Sequence, residues 1–187
     1  MGRSRFIVIG GVAGLAWAAS LRGFMAQLAG PDSTFTMAGT FGIILPTGTV
    51  VGALLGWAEY LRRSGHQHRS LILAPLLIGL VPTLATATLD PAPIGLALLA
   101  MAGGYAISGR GPVGMRILAG IVNLAGVVVT FLAPKPSAGL GYTTPQGLWF
   151  GTLGASLGLV LALACAIPMC RPSISGPPVT GGRVAGR

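Results

Sequence analysis

The sequence predicts an all-α integral membrane protein, a helical bundle of about six transmembrane helices with both ends on the cytoplasmic side. Three observations carry that expectation: the scarcity of charge, the length of the apolar runs and the placement of the arginines. Apolar residues make up 52% of the 187 and charged residues only 8%, and the mean hydropathy is +0.79. A soluble domain carries roughly 25% charged residues. So few charges could not cover a folded surface facing water, whereas a lipid-facing surface needs no such cover. The 31 glycines and 14 prolines fit the same class, since both residues are tolerated in spanning helices.

Six apolar runs follow one another: Phe6–Leu28, Thr36–Leu61, Leu71–Leu89, Ile94–Ile107, Met115–Ala133 and Leu148–Ile167. A span needs roughly 20 residues, and most runs reach that length. The first begins like a secretory signal, with a basic start and the small-residue pattern Ala16-Trp17-Ala18. It continues through Phe24, Met25 and Leu28, which favours an uncleaved anchor. Ser33 and Thr34 could cap the second run. The third contains Pro75, Gly79 and Pro82, which could interrupt it as in transporters with broken helices. The fourth is short because Gly103–Gly104 and Ser108 weaken it; Pro91 could extend it at the first helical position behind an Asp90 cap. In the sixth, Thr143 precedes Gln146 by three residues, the spacing of a capping box, with Pro145 in the first turn.

Charge orients the runs. With the N-terminus inside, the inside gaps hold Arg3, Arg5, Arg62, Arg63, Arg69, Arg110, Arg116, Arg171, Arg183 and Arg187, and the outside gaps hold only Lys135. Asp32 and Asp90 also fall outside. Basic residues in short loops mark the cytoplasmic side, so the pattern predicts six passes, N-in and C-in. The same distribution excludes nucleic acid as the partner implied by a net charge of +9, because these arginines lie in gaps between apolar runs and not on one basic face of a soluble domain. Residues 1–170 are expected to form the transmembrane domain. Residues 171–187, with three prolines and four glycines and no apolar periodicity, are expected to be a disordered cytoplasmic tail.

In lipid, helices associate through close packing of small residues and interhelical hydrogen bonds. Gly10 and Gly14 lead to Ala18 and Arg22 at spacings of four. Gly48, Gly52 and Gly56 repeat that spacing in the second run, as do the pairs Gly147–Gly151 and Gly154–Gly158 in the sixth. Packing within one subunit and self-association are both open to such stripes. Arg22 is the one basic residue that topology does not explain. It lies on a small-residue stripe and so faces protein, as an ion pair with Asp32 or Asp90, as a snorkelling side chain, or as part of an anion or solute site. Asn123, near the middle of the fifth run, is expected to supply an interhelical hydrogen bond or a solute contact. Glu59 stands three and four residues before Arg62 and Arg63, a surface-helix ion-pair spacing.

No catalytic constellation is found, and neither a cofactor nor a metal is expected. His66 and His68 are two apart and would diverge on a helix. Cys165 and Cys170 suit neither a disulfide nor a zinc site. The match of Trp17–Arg22 with Trp57–Arg62 across an offset of 40 rests on a single six-residue window and is read as coincidence.

The stretch from Gly14 to Gly65 carries a resemblance. Its Arg22-Gly23-Phe24-Met25, Asp32-Ser33-Thr34-Phe35, Gly39-Thr40, Gly52-x-x-x-Gly56 and Arg62-Arg63 resemble the N-terminal part of small, uncharacterised polytopic membrane proteins of high-GC Gram-positive bacteria. That group has no assigned activity, so the resemblance implies lineage and topology: a multi-pass protein of the bacterial cytoplasmic membrane. Two functions remain open. One is a non-enzymatic bundle acting by association with a membrane-protein partner or a second copy, as an accessory or scaffold. The other is a small-solute permease or channel, whose path would run beside Arg22, Asn123 and a broken third helix. A cavity reaching the midplane beside Asn123 would favour the second, and a closed bundle the first.

Overall fold

In a computed structural model, the described residues are 2–29, 36–66, 68–86, 91–132 and 144–171, and they are all-helical. Six α-helices follow in order: α1 Arg3–Ala29, α2 Leu45–Arg63, α3 Leu76–Thr86, α4 Pro91–Ile107, α5 Val113–Leu132 and α6 Pro145–Met169. The stretches Arg3–Gln27, Ala38–Arg63, Val113–Thr130 and Pro145–Met169 are long and apolar enough to cross a membrane, while α3 and α4 are shorter apolar helices. The protein is therefore membrane-embedded. Its surface agrees, since Val8, Val12, Ile117, Leu124, Val129 and Leu163 are all more than half exposed, an apolar exposure that water would not tolerate over so large an area.

The local sequence explains where the helices depart from simple runs. The second run is not α-helical from its start: Ala38–Ile44 forms a π-helix that leads directly into α2. Pro46, in the first turn of α2, would in an α-helix press on the carbonyl four residues back, at Gly42, and it has no N–H to offer. A wider turn relieves that contact, and the Leu45 N–H donates to the Thr40 carbonyl five residues earlier. At the other end, the His66 N–H donates to the Leu61 carbonyl (2.9 Å) and Gly65, at φ +76°, to that of Arg62 (3.4 Å). This is the Schellman stop, in which the left-handed position favours glycine.

The third run is broken, at its start. Arg69–Leu73 is a 3-10 helix, Ala74 and Pro75 form a turn, and α3 then begins. Gly79 and Pro82 do not interrupt it. The Thr83 hydroxyl donates to the Gly79 carbonyl at 2.7 Å beside the proline, and Gly79 is where α3 meets α4, since a methyl there would lie 2.7 Å from the Ile94 Cα.

Nor is Gly103–Gly104 a weakness in α4, which starts at Pro91 and runs through both glycines. A methyl on Gly104 would lie 2.7 Å from the Cys165 carbonyl carbon, and one on Gly103 would lie 2.7 Å from both the Ala162 Cβ and the Asn123 Cγ. The pair is the crossing point of α4 with α6 and α5. The cap of α6 also differs by one residue from the expected capping box. Thr144 is the N-cap, its Oγ1 accepting from the Gly147 N–H at 3.1 Å, with Pro145 behind it.

Two groups of helices result. α1 and α2 form an antiparallel hairpin with the most extensive contact in the molecule, and α4 sits at the centre of a second group with α3, α5 and α6. Smaller contacts of α2 with α3 and α6, and of α1 with α6, join the two. The core at their meeting holds Val51, Leu55, Ile78, Ala100, Leu161 and Cys165. The pairings bring the helix ends that carry Arg3, Arg62, Arg63, Arg69, Arg110 and Arg116 to one end of the bundle, called here the basic end.

The hairpin is held backbone to backbone. A methyl added at Gly10 would run into the Gly52 carbonyl oxygen and lie 2.9 Å from the Gly56 Cα. At Gly14 it would meet the Gly48 carbonyl and lie 2.9 Å from the Gly52 Cα. Gly52 and Gly56 return the contact onto the carbonyls of Gly10 and Phe6. The hydrogens that stand in place of these methyls thus point at carbonyl oxygens of the facing helix, the arrangement of Cα–H···O contacts at helix interfaces. Alanine at Gly14 or Gly52 should therefore destabilise the protein by about 1–3 kcal/mol through overpacking. Alanine at Gly23, which has nothing within 4 Å of an added methyl, should not. Melting curves in detergent check this, and equal effects at Gly52 and Gly23 would contradict the packing.

Candidate functional site

Polar groups within the helices mostly find partners close at hand. The Asn123 Nδ2 of α5 donates to the Leu99 carbonyl of α4 at 2.8 Å, and Asn123 is buried beneath Gly103. The space beside it, lined by Leu99, Gly126, Thr130, Gly154 and others, is about 30 Å³, room for roughly two or three waters. Beside Asn123, where a polar path was expected to show a cavity, there is thus a small niche. Arg22 of α1 is half-buried, and its Nε donates to the Thr40 Oγ1 at 3.2 Å. Thr40 is itself buried, and the π-turn is what places it there. Asp32 and Asp90, the proposed partners of Arg22, lie outside the described residues, as do Ser33, Thr34, Thr143 and the tail beyond Arg171.

At the basic end, Glu59 accepts from the Arg62 Nε (2.7 Å) and Nη2 (2.8 Å) and from the Arg63 Nε (2.6 Å). Aromatic rings surround this clamp. The Arg63 guanidinium lies 5.0 Å from the Phe6 ring centre and that of Arg3 lies 5.2 Å from Trp57. Cations over rings at the membrane surface add both attraction and anchoring. His66 turns its Nδ1 to the Ser64 carbonyl, and His68 lies by Trp57, so the two diverge. Cys165 is buried in the core and Cys170 sits past the end of α6. Among the described residues, no three His, Cys, Asp or Glu side chains come together to hold a metal.

The small-residue stripes are distributed between two tasks. Gly10, Gly14, Gly48, Gly52 and Gly56 close the hairpin. In α6, Gly147, Gly151 and Gly154 are buried, and Gly154 makes room for a side chain and not for a backbone: the Phe24 ring would lie 2.9 Å from a methyl there. Phe24 stacks on Phe150 at 4.3 Å between centroids. Gly158 meets Val127 at ordinary contact.

What the sequence did not single out is the seam between the hairpin and the four-helix group. Two cavities lie along it. The larger, about 330 Å³, is walled by Leu21, Phe24 and Met25 of α1, Ile44, and Pro82, Pro93 and Leu96 of the second group. The other, about 260 Å³, is walled by Phe6, Ile9 and Ala13 of α1, Leu55 of α2, and Val160 and Ala164 of α6, with Glu59 at one end. Trp17, Gly48 and Ile78 line both. Trp17 thus stands between them, pinned by its Nε1–H donating to the Leu157 carbonyl of α6 at 3.1 Å. In the sequence Trp17 stood out as part of a signal-like pattern and of the match with Trp57–Arg62, and neither placed it on the seam.

These cavities have a physical consequence. Each is several waters in size, yet hydrocarbon walls offer water too few of the two to four partners it needs. Both are half-open clefts, so apolar matter from outside the bundle can reach their walls. The seam is therefore a place for apolar matter. The chain matches no family model, and neither curated proteins nor solved structures show significant similarity to it.

Trp17 allows the hydrogen bond and the partition to be separated. Trp17→Phe keeps a ring but removes the donor, and should lower stability by roughly 0.6 kcal/mol, the average for such bonds in membranes. Trp17→Ala merges the cavities and should cost about 3–5 kcal/mol. Thermal melting of both variants reads the difference, and equal losses would show that Trp17 does not act as a wall.

Proposed function

We propose that this is a six-pass protein of the bacterial cytoplasmic membrane, N-in and C-in, that acts without catalysis by association inside the bilayer as an accessory or scaffold. The carrying observation is the seam: two apolar cavities between two helix groups, with the Asn123, Trp17 and Arg22 donors bonded to neighbouring helices and loops. Such a bundle offers grip to hydrocarbon and little to a hydrated solute. The gathering of arginines at one end supports the orientation, because basic residues of short loops are retained in the cytoplasm. With the glycine stripes of α1, α2 and α6 turned inward, association would fall to the exposed apolar faces, such as Ile117, Ile121 and Leu124 of α5, and to the seam.

One observation favours the second reading, a small-solute permease. The two cavities stand in line along the seam with Trp17 between them, an arrangement that could pass an apolar solute from one half of the membrane to the other. The two readings part in reconstituted vesicles. Association predicts no flux of ions or of small neutral solutes above protein-free vesicles, in the wild type or in Trp17→Ala. A permease predicts flux that Trp17→Ala alters, and such flux would overturn the association reading.

Topology is checked separately. With Cys165 and Cys170 replaced, single cysteines at positions Ser33 and Ser137 should label from outside intact cells, and one at Ser64 should label only after permeabilisation. External labelling at Ser64 would reverse the orientation.

A further inference from the structure

The smaller cavity runs to the basic end, and the groups at its mouth differ in kind from those of its walls. Phe6 and Glu59 line it at that end, together with Gly56 and Ile167. Arg63 stacks over Phe6, donates its Nε to Glu59 at 2.6 Å, and keeps its side chain 58% exposed. A guanidinium carries five N–H donors in a fork that matches phosphate, so one bond to Glu59 does not exhaust it. From Phe6 to Trp17, which closes the far end, α1 rises through eleven residues, roughly 16 Å. That is about half of a ~30 Å hydrocarbon core, the depth of one leaflet. The cavity thus leads from Phe6 and Glu59, the two lining residues that Arg63 touches, to Trp17 between otherwise apolar walls.

We propose that this cavity holds one acyl chain of an anionic phospholipid from the leaflet at the basic end, with the phosphate engaged by Arg63. The chain lies between Ala13 of α1 and Ala164 of α6 and ends against Trp17. Charge selects the lipid: the described residues at this end carry eight arginines against the single acid Glu59, and basic pockets between helices on that side attract anionic headgroups. The bound acyl chain fills the smaller of the two seam cavities and so becomes part of what holds the hairpin to the four-helix group. The proposal rests on the chain acting by association in the bilayer, yet the two fail separately: solute flux overturns that reading, and the experiment below does not measure flux.

The probe is Trp17 itself. With Trp57→Phe and Trp149→Phe, the full chain keeps one tryptophan and is reconstituted into phosphatidylcholine vesicles. Phosphatidylglycerol brominated near the chain ends is then titrated in, with brominated phosphatidylcholine as the comparison. Half-maximal quenching of Trp17 should occur at a several-fold lower mole fraction of the anionic lipid, and added salt should narrow the gap, because exposed charges are screened. Arg63→Gln should abolish the preference, and Arg63→Lys should retain part of it, since the charge persists without the fork. Ala164→Phe, which fills the cavity, should reduce quenching by either lipid. Ala13→Leu repeats the test from the opposite wall should Ala164→Phe fail to fold. Equal mole fractions for the two lipids, a preference that survives Arg63→Gln, or quenching unchanged by both cavity-filling variants would each overturn the proposal.

Discussion

The structure depends on the backbone contact between α1 and α2. Apolar side chains gain little by leaving lipid for one another, so a membrane hairpin needs close van der Waals approach or polar bonds to hold together. Here glycines on both helices supply the approach. Gly10, Gly14, Gly48, Gly52 and Gly56 leave no room for a single methyl between the two backbones. Because each helix devotes this face to the other, the hairpin is a unit with its own outer surface. That surface presents Trp17, Leu21 and Phe24 to the other four helices. Side chains of that size cannot approach their partners as glycines do, and the cavities lie where the two surfaces fail to interlock.

The four-helix group is built by a related device. Gly79, Gly103 and Gly104 bring α4 close to α3, α5 and α6, while Asn123 ties α5 to α4 through the Leu99 carbonyl. The two groups are then joined by fewer and more specific links: the Trp17 bond to Leu157, the Phe24–Phe150 stack and a core around Ile78. Contact is extensive within each group and smaller between them, and the seam is where apolar space remains.

Much of this architecture was legible in the sequence. Helical class, the extents of α1, α5 and α6, and the glycine stripes all follow from composition and spacing. The finer features were not legible, for identifiable reasons. A stripe shows which face is small but not which helix it meets, so Gly79 and Gly103–Gly104 looked like breaks when they are crossing points. Pro46 acts backwards along the chain, on the turn before it, and the resulting π-helix is what sets Thr40 against Arg22. Pro75 signalled a break, but not that a 3-10 segment would stand before it. The cavities arise from a mismatch between two surfaces distant in sequence, which no single window of residues contains.

The most direct measurement is a density map of the full chain in lipid nanodiscs containing anionic phospholipid, resolved well enough to trace side chains and lipid tails. The account predicts α1 and α2 in backbone contact along Gly10–Gly14 and Gly48–Gly56, with Trp17 bonded to the Leu157 carbonyl and elongated hydrocarbon density in the seam beside it. A hairpin whose helices stand apart, or a seam closed by side chains with no space for a tail, would contradict it.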